Sequence, residues 1–243
     1  MDIREKINMD FDGLMKNGPI NIVAFGDSVT HGALKETINY ETVYWNLLKK
    51  KLNSVRDYIP VNVINSGIGG ITAKGSLDRI ERDVIAYHPD VVIVCFGLND
   101  VNGELDDYLD SLRIIFEKIK TCNADIIFMT PNMLNTDLAD DVQEEYKEYA
   151  KVTMEFQNNG KMDKYIYSAV EIAKKMNVKV CDCYSEWKKL EQKGENITSL
   201  LINRINHPIP EMHNLFADML FDTIMGKDEI KKADDSTTMY KQN

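Results

Sequence analysis

Apolar residues along the chain fall into two alternating spacings. Short runs rich in β-branched and aromatic residues occur at 20–26, 61–64, 90–96, 125–129 and 178–183, each of strand length. Between them, apolar positions recur every three to four residues. Tyr40, Val43, Tyr44, Leu47, Leu48, Leu52 and Val55 mark a helix over 40–56, and Leu105, Leu109, Leu112, Ile115, Phe116 and Ile119 mark another over 105–120. A helix over 72–86 ends near His88-Pro89, because the residue before a proline avoids the helical region. After an acidic loop, residues 140 to about 156 read as a helix broken at Asn158-Asn159-Gly160. Residues 161–176 form the next, with Tyr165, Ala169, Ile172, Ala173 and Met176 inward; shorter helices are expected at 184–192 and 210–225, and one over 1–18, stopped by Asn17-Gly18-Pro19. The run 90–96 is almost continuously apolar, as expected of a strand covered on both faces.

Strands alternating with helices predict an α/β fold: a parallel sheet with helices on both faces, joined by right-handed crossovers. Ligands of such folds bind at the C-terminal edge of the strands. The polar and glycine-rich segments after the first three strands fall there. Length and apolar content, 243 residues and 44% hydrophobic, fit one domain over 1–226, followed by a polar tail, 227–243, with little to pack. The formal net charge of −10 argues against nucleic acid and an anionic membrane surface as partners. No apolar run reaches membrane-spanning length, and the charged start Met1-Asp2-Ile3-Arg4-Glu5-Lys6 lacks the apolar stretch of a secretory signal; the expectation is a cytoplasmic protein. Cys95, Cys122, Cys181 and Cys183 are expected as free thiols, and Cys181-x-Cys183 has no second pair at metal spacing. Trp45 and Trp187 read as packing residues. The segment 132–160 is longer than a minimal connection, and reads equally as a wall over the site or as a surface hairpin or dimer contact.

The most informative stretch is Phe25-Gly26-Asp27-Ser28-Val29-Thr30-His31-Gly32, directly after the first strand. A serine on a glycine-flanked turn at a strand end can present its hydroxyl to a base and to backbone N–H donors, which is the arrangement acyl transfer requires. Of the four histidines, His31 is too near in sequence to act as the partner and His88 caps a helix end. His207, in Asn206-His207-Pro208 before the last helix, is the best candidate base. Donors for a developing oxyanion are available from the Ser28 N–H, from the loop Gly67-Ile68-Gly69-Gly70 and from Asn99 in Gly97-Leu98-Asn99-Asp100. Asp27 and Asp100 read as loop braces.

At these residues the chain resembles the SGNH hydrolases, a branch of the GDSL esterase/lipase family. Gly26-Asp27-Ser28, Gly70, Gly97-Leu98-Asn99-Asp100 and His207-Pro208 match its four blocks in order, across residues 22–220. The resemblance implies a three-layer α/β/α sandwich with a five-stranded parallel sheet in the flavodoxin-like order 2-1-3-4-5. It also implies Ser28 as nucleophile, His207 as base, an oxyanion hole of Ser28, Gly70 and Asn99, and neither metal nor organic cofactor. The expected activity is hydrolysis of carboxylic esters with short acyl groups, acetyl on carbohydrate among them. The expected partner is a small-molecule ester, with homo-oligomerisation left open.

One position departs from the pattern. Arg204 stands where the family has an aspartate three residues before the histidine. Arginine has no acceptor for an imidazole N–H. Asn203 is then the candidate to orient His207 through its amide oxygen, with Glu211 or a backbone carbonyl as alternatives. The same departure keeps open a catalytically silent carbohydrate- or acyl-binding module, beside a thioesterase or lysophospholipase acting on longer chains.

Overall fold

The computed structural model describes residues 3–56 and 58–226; the tail expected at 227–243 lies outside the described residues. Helices α1 (Ile3–Ile7) and α2 (Phe11–Asn17) precede β1 (Ile20–Gly26). Then follow α3 (Ser28–His31), α4 (Tyr44–Asn53), β2 (Val61–Gly67), α5 (Ile80–Asp83), β3 (Val91–Cys95), α6 (Leu105–Lys120), β4 (Asp125–Met129), α7 (Lys147–Asn158), α8 (Lys161–Lys175), β5 (Lys179–Cys181), α9 (Cys183–Gln192) and α10 (Met212–Met225). The sheet runs β2-β1-β3-β4-β5, every neighbouring pair parallel. Helices α1, α4, α9 and α10 pack together on one side and α5 to α8 on the other. All five residues of central β3 are buried, which accounts for its unbroken apolar run. Phe25 and Phe96 meet edge to face across the sheet at 5.2 Å. Among the described residues no helix is long and apolar enough to cross a membrane.

Several helices differ from their sequence expectation for local reasons. The N-terminal stretch is two helices, because Asp10 caps a new start by accepting the Gly13 N–H. The helix expected over 72–86 is a 3₁₀ turn at Lys74–Arg79, the short α5 and a second 3₁₀ turn at Ile85–Tyr87. Arg79 is drawn inward there. Its guanidinium lies 4.4 Å from the Phe25 ring centre and donates to the Ser66 and Gly26 carbonyls at 2.8 and 3.4 Å. The helix expected from 140 begins only at Lys147, after a 3₁₀ turn at Glu144–Tyr146. Strand β5 is three residues long because Asp182 caps α9, so Cys183 opens a helix rather than sharing a strand face with Cys181. All four cysteines are free thiols. Trp187 is fully buried, and half-buried Trp45 donates from its indole to the Thr30 carbonyl.

The feature that shapes the site edge is the approach of α3 to the ends of β1 and β2. Gly26 and Gly67 are register partners at those ends. A Cβ on Gly67 would fall on the His31 amide nitrogen and lie 2.7 Å from the Thr30 carbonyl carbon, both rigid backbone. Only glycine admits that contact. Gly67→Ala is expected to push α3 outward and cost about 1–3 kcal/mol, or about 2–12 °C in Tm for a chain of this size. A thermal melt indistinguishable from wild type would refute the packing argument.

Candidate active site

The loop ends at the C-terminal edge of the sheet come together around Ser28. Asp27 caps α3 by accepting the Val29 N–H at 3.0 Å, which puts Ser28 at the first helical position, where its own N–H has no intrahelical acceptor. The Ser28 carbonyl takes the N–H of Gly32 and Ala33 at 3.1 and 2.9 Å. Gly32, at φ 97°, then turns the chain into a hairpin, closed by an Ala33–Ile38 bridge and by Leu34 N–H to Thr37 O at 2.8 Å.

A second hairpin spans 200–209. Leu201 bridges Pro208, Ile202 N–H reaches His207 O at 2.7 Å, and Ile209 N–H reaches Leu200 O at 2.9 Å. Its tip carries His207, whose Nε2 lies 3.0 Å from Ser28 Oγ. Nδ1 lies 2.7 Å from the carbonyl oxygen of Leu34 in the first hairpin. A carbonyl only accepts, so Nδ1 carries the proton and the Nε2 lone pair faces Ser28. Asn203, the sequence candidate for orienting the ring, is engaged elsewhere. Its Oδ1 accepts the backbone N–H groups of Ile205, Asn206 and His207 at 3.1, 3.0 and 2.9 Å, so it shapes the hairpin tip rather than the imidazole. Glu211 makes no hydrogen bond to the ring. Arg204, at φ 61°, turns its guanidinium to Asp141, with Nε 3.1 Å from both carboxylate oxygens. From below, buried Asn132 donates to Asn206 O at 2.9 Å, and Asn135 N–H to Ile205 O at 3.0 Å.

The loops after β2 and β3 are tied to each other. Asn99 donates one amide hydrogen to Ile71 O at 3.0 Å, and buried Asp100 accepts the Ala73 N–H at 2.8 Å. Gly70 sits at φ 76°, a conformation suited to glycine. Ser28, Gly69, Gly70, Asn99, Asn203 and His207 line one cavity of about 360 Å³. Gln143, Tyr146 and Tyr149 from the long segment after β4 line it too, so that segment forms a wall of the site. The sequence reading allowed for a backbone carbonyl without naming Leu34, since a backbone acceptor carries no side-chain signature, and of its two readings of the segment 132–160 the wall over the site is the one that matches Gln143, Tyr146 and Tyr149.

Burial shifts the site's titrations. It pushes the His207 imidazole below its ordinary value, with the Leu34 carbonyl pulling the other way. It holds His213, whose Nδ1 accepts the Tyr44 N–H, down to about 4, with His207 adding to the effect. It raises Asp27 to about 7, against the Val29 N–H and with help from Asp100, and raises Asp100 to about 6. One carboxylate oxygen of each is buried without a partner.

A serine at the end of β1 facing a histidine from the last loop, on a five-stranded parallel sheet of order 2-1-3-4-5, defines an SGNH-type hydrolase fold. The family model described as GDSL-like lipase/acylhydrolase matches residues 24–215, and the chain belongs to that family. An acetylxylan esterase of Geobacillus stearothermophilus is 31% identical over 113 residues, 42% of this chain and 52% of the relative. An uncharacterized lipoprotein of Bacillus subtilis is 33% identical over 90 residues, 36% of this chain and 35% of the relative. The chain thus spans about half, or less, of the length of the curated relatives it matches. Among solved structures, the acetylxylan esterase Axe2 of G. stearothermophilus is similar with a TM-score of 0.66 at 24% identity, over 84% of this chain and 94% of that one. A lipase/acylhydrolase of Enterococcus faecalis is similar with a TM-score of 0.67 at 23% identity, over 86% and 96%. These likenesses show the shared fold.

Asp27 generates a stability prediction. Its folded pKa of about 7 lies above the ordinary carboxyl value of 3.8, so the folded state keeps a proton that the unfolded chain releases, and this contribution is lost as pH rises between about 4 and 7. Asp27→Asn keeps the cap and removes the titration. The variant is expected to gain on the order of 1–3 kcal/mol over wild type at pH 8 and much less at pH 5. Equal margins in melts at the two pH values would show that burial does not hold this proton.

Proposed function

We propose that the chain is a serine esterase that hydrolyses small carboxylic esters, acetyl esters of carbohydrates foremost. The observation that carries this reading is the relay Ser28 Oγ, His207 Nε2, His207 Nδ1 and Leu34 O, at 3.0 and 2.7 Å, in one cavity with Gly70 and Asn99. His207 takes the Ser28 proton as Oγ attacks the ester carbonyl. The N–H groups of Ser28 and Gly70 and the free amide hydrogen of Asn99 receive the oxyanion. Collapse expels the alcohol, protonated by His207. A water, deprotonated by the same nitrogen, then releases the acid and restores Ser28.

The cavity favours small acyl groups. Its aliphatic lining is limited to Ala33, Ile38 and Ile205, and the remainder is serine, glycine, amide, tyrosine, histidine and lysine. A long acyl chain needs a continuous apolar channel, whereas a polyhydroxylated alcohol is served by amides and tyrosines. The acetylxylan esterase among the relatives fits this choice. The silent-module alternative rested on the missing aspartate. The Leu34 carbonyl supplies the acceptor that position 204 lacks, so the ring has the correct tautomer without a carboxylate. The free thiols fit a reducing cytoplasm.

Ser28→Ala is expected to lower kcat/KM for p-nitrophenyl acetate by about 10³-fold or more, leaving binding and donor effects. Wild-type turnover by that variant would overturn the proposal. In wild type, activity should fall on the acid side as His207 protonates, with an apparent pKa below the ordinary 6.5 because burial lowers it. A kcat/KM profile whose acid limb lies above 6.5 would contradict this assignment of the base.

A further inference from the structure

The hairpin that carries Leu34 has an exposed tip, the one that carries His207 a part-buried tip, and one short stretch of chain holds both. Asp141 accepts Arg204 Nε from the His207 hairpin, at 3.1 Å to each oxygen. Two residues on, Gln143 donates to Glu36 Oε1 at 2.7 Å, at the tip of the Leu34 hairpin. Between them, Val142 is buried in a small apolar cluster with Ala150 and Ile205, separate from the main core. A third link joins Tyr149 OH to Asn102 Nδ2 at 3.4 Å, beyond the turn that carries Asn99. Arg204 has a left-handed backbone, a conformation disfavoured for a non-glycine residue, and it also donates to the Ser199 carbonyl at 3.0 Å.

We infer that Arg204 is a positioning residue. With Asp141 it latches the stretch 141–149 against the His207 hairpin, so that Gln143, Tyr146 and Tyr149 stand as the wall that receives the alcohol part of the ester. The chemistry assigns the side. His207 must hand its proton to the leaving oxygen, so the alcohol departs past His207, and this wall packs on the His207 hairpin through Val142 and Ile205. Arg204 therefore serves binding of the leaving group instead of standing behind the histidine. The burial and the Leu34 contact that set the His207 titration involve no arginine charge.

The inference rests on Ser28 and His207 as the reacting pair, and the test separates the two. Steady-state kinetics of wild type, Arg204→Ala, Asp141→Asn and the double variant are measured on p-nitrophenyl acetate and on ethyl acetate, which share the acyl group and differ in the alcohol. Each single variant is expected to raise KM for p-nitrophenyl acetate about fivefold, with kcat changed less than twofold and the double variant no worse than either single. KM for ethyl acetate is expected to stay within about twofold, since its alcohol is too small to use the wall. Labelling of Ser28 by a fluorophosphonate, whose fluoride leaving group needs no wall, should proceed at the wild-type rate in every variant that folds. If Arg204→Ala does not fold, Asp141→Asn carries the test alone. Unchanged KM for p-nitrophenyl acetate in the folded variants overturns the inference. So does a loss of kcat accompanied by a shift of the acid limb, which would mean that Arg204 acts on His207. Failure of wild type itself to take the label overturns the proposed function instead.

Discussion

The contact on which the site depends is the one between His207 Nδ1 and the Leu34 carbonyl. It fixes the tautomer, aims the Nε2 lone pair at Ser28 and joins the two hairpins that frame the cavity. In serine–histidine–aspartate enzymes, replacing the aspartate by asparagine costs about 10⁴ in kcat because the imidazole is then held in the wrong tautomer. A peptide carbonyl avoids that fault, since it accepts and never donates. What it gives up is charge: a hydrogen bond to a neutral oxygen is roughly half as strong as one to a carboxylate, so the imidazolium formed during attack is less stabilised. The arrangement describes a relay of correct geometry and reduced driving force.

The carbonyl can stand there because the chain returns on itself within a few residues of the nucleophile. Ser28 O caps the turn at Gly32, and the hairpin that follows brings Leu34 across the top of α3. Ser28, the proposed nucleophile, and Leu34 thus sit on one short stretch of chain beside the glycine ends of β1 and β2. His207, the proposed base, comes from the other end of the chain on a hairpin whose tip is held by Asn203 and braced by Asn132 and Asn135. Each part of the relay is fixed by backbone hydrogen bonds before any substrate enters, which is the preorganisation that electrostatic stabilisation of an oxyanion requires.

Much of this was legible in the sequence, and what was not has definite causes. Strand positions followed from β-branched runs, and β1 and β4 match theirs end to end, because burial on both faces leaves little choice of residue. That Ser28, Gly70, Asn99 and His207 meet in one cavity was legible because each lies at a strand end or in the last loop, where side-chain type and position carry the signal. The helix expected over 72–86 is broken into short turns where Arg79 turns in to satisfy carbonyls at the ends of two strands. Asn203 failed as the orienting group because an amide beside three free backbone N–H groups is drawn to them first. Leu34 was invisible because its contribution is a peptide oxygen that every residue type possesses.

That last property has an evolutionary consequence. A carboxylate behind a histidine is erased by one codon change, whereas a main-chain oxygen survives every substitution at its own position except those that refold the hairpin. With a peptide oxygen as acceptor, the geometry around His207 asks for no acid at position 204. Insertions or deletions between Gly32 and Asn39, rather than point changes, become the lesions to which this relay is sensitive. Descendants of such a chain can vary the side chains around the imidazole while inheriting its tautomer unchanged.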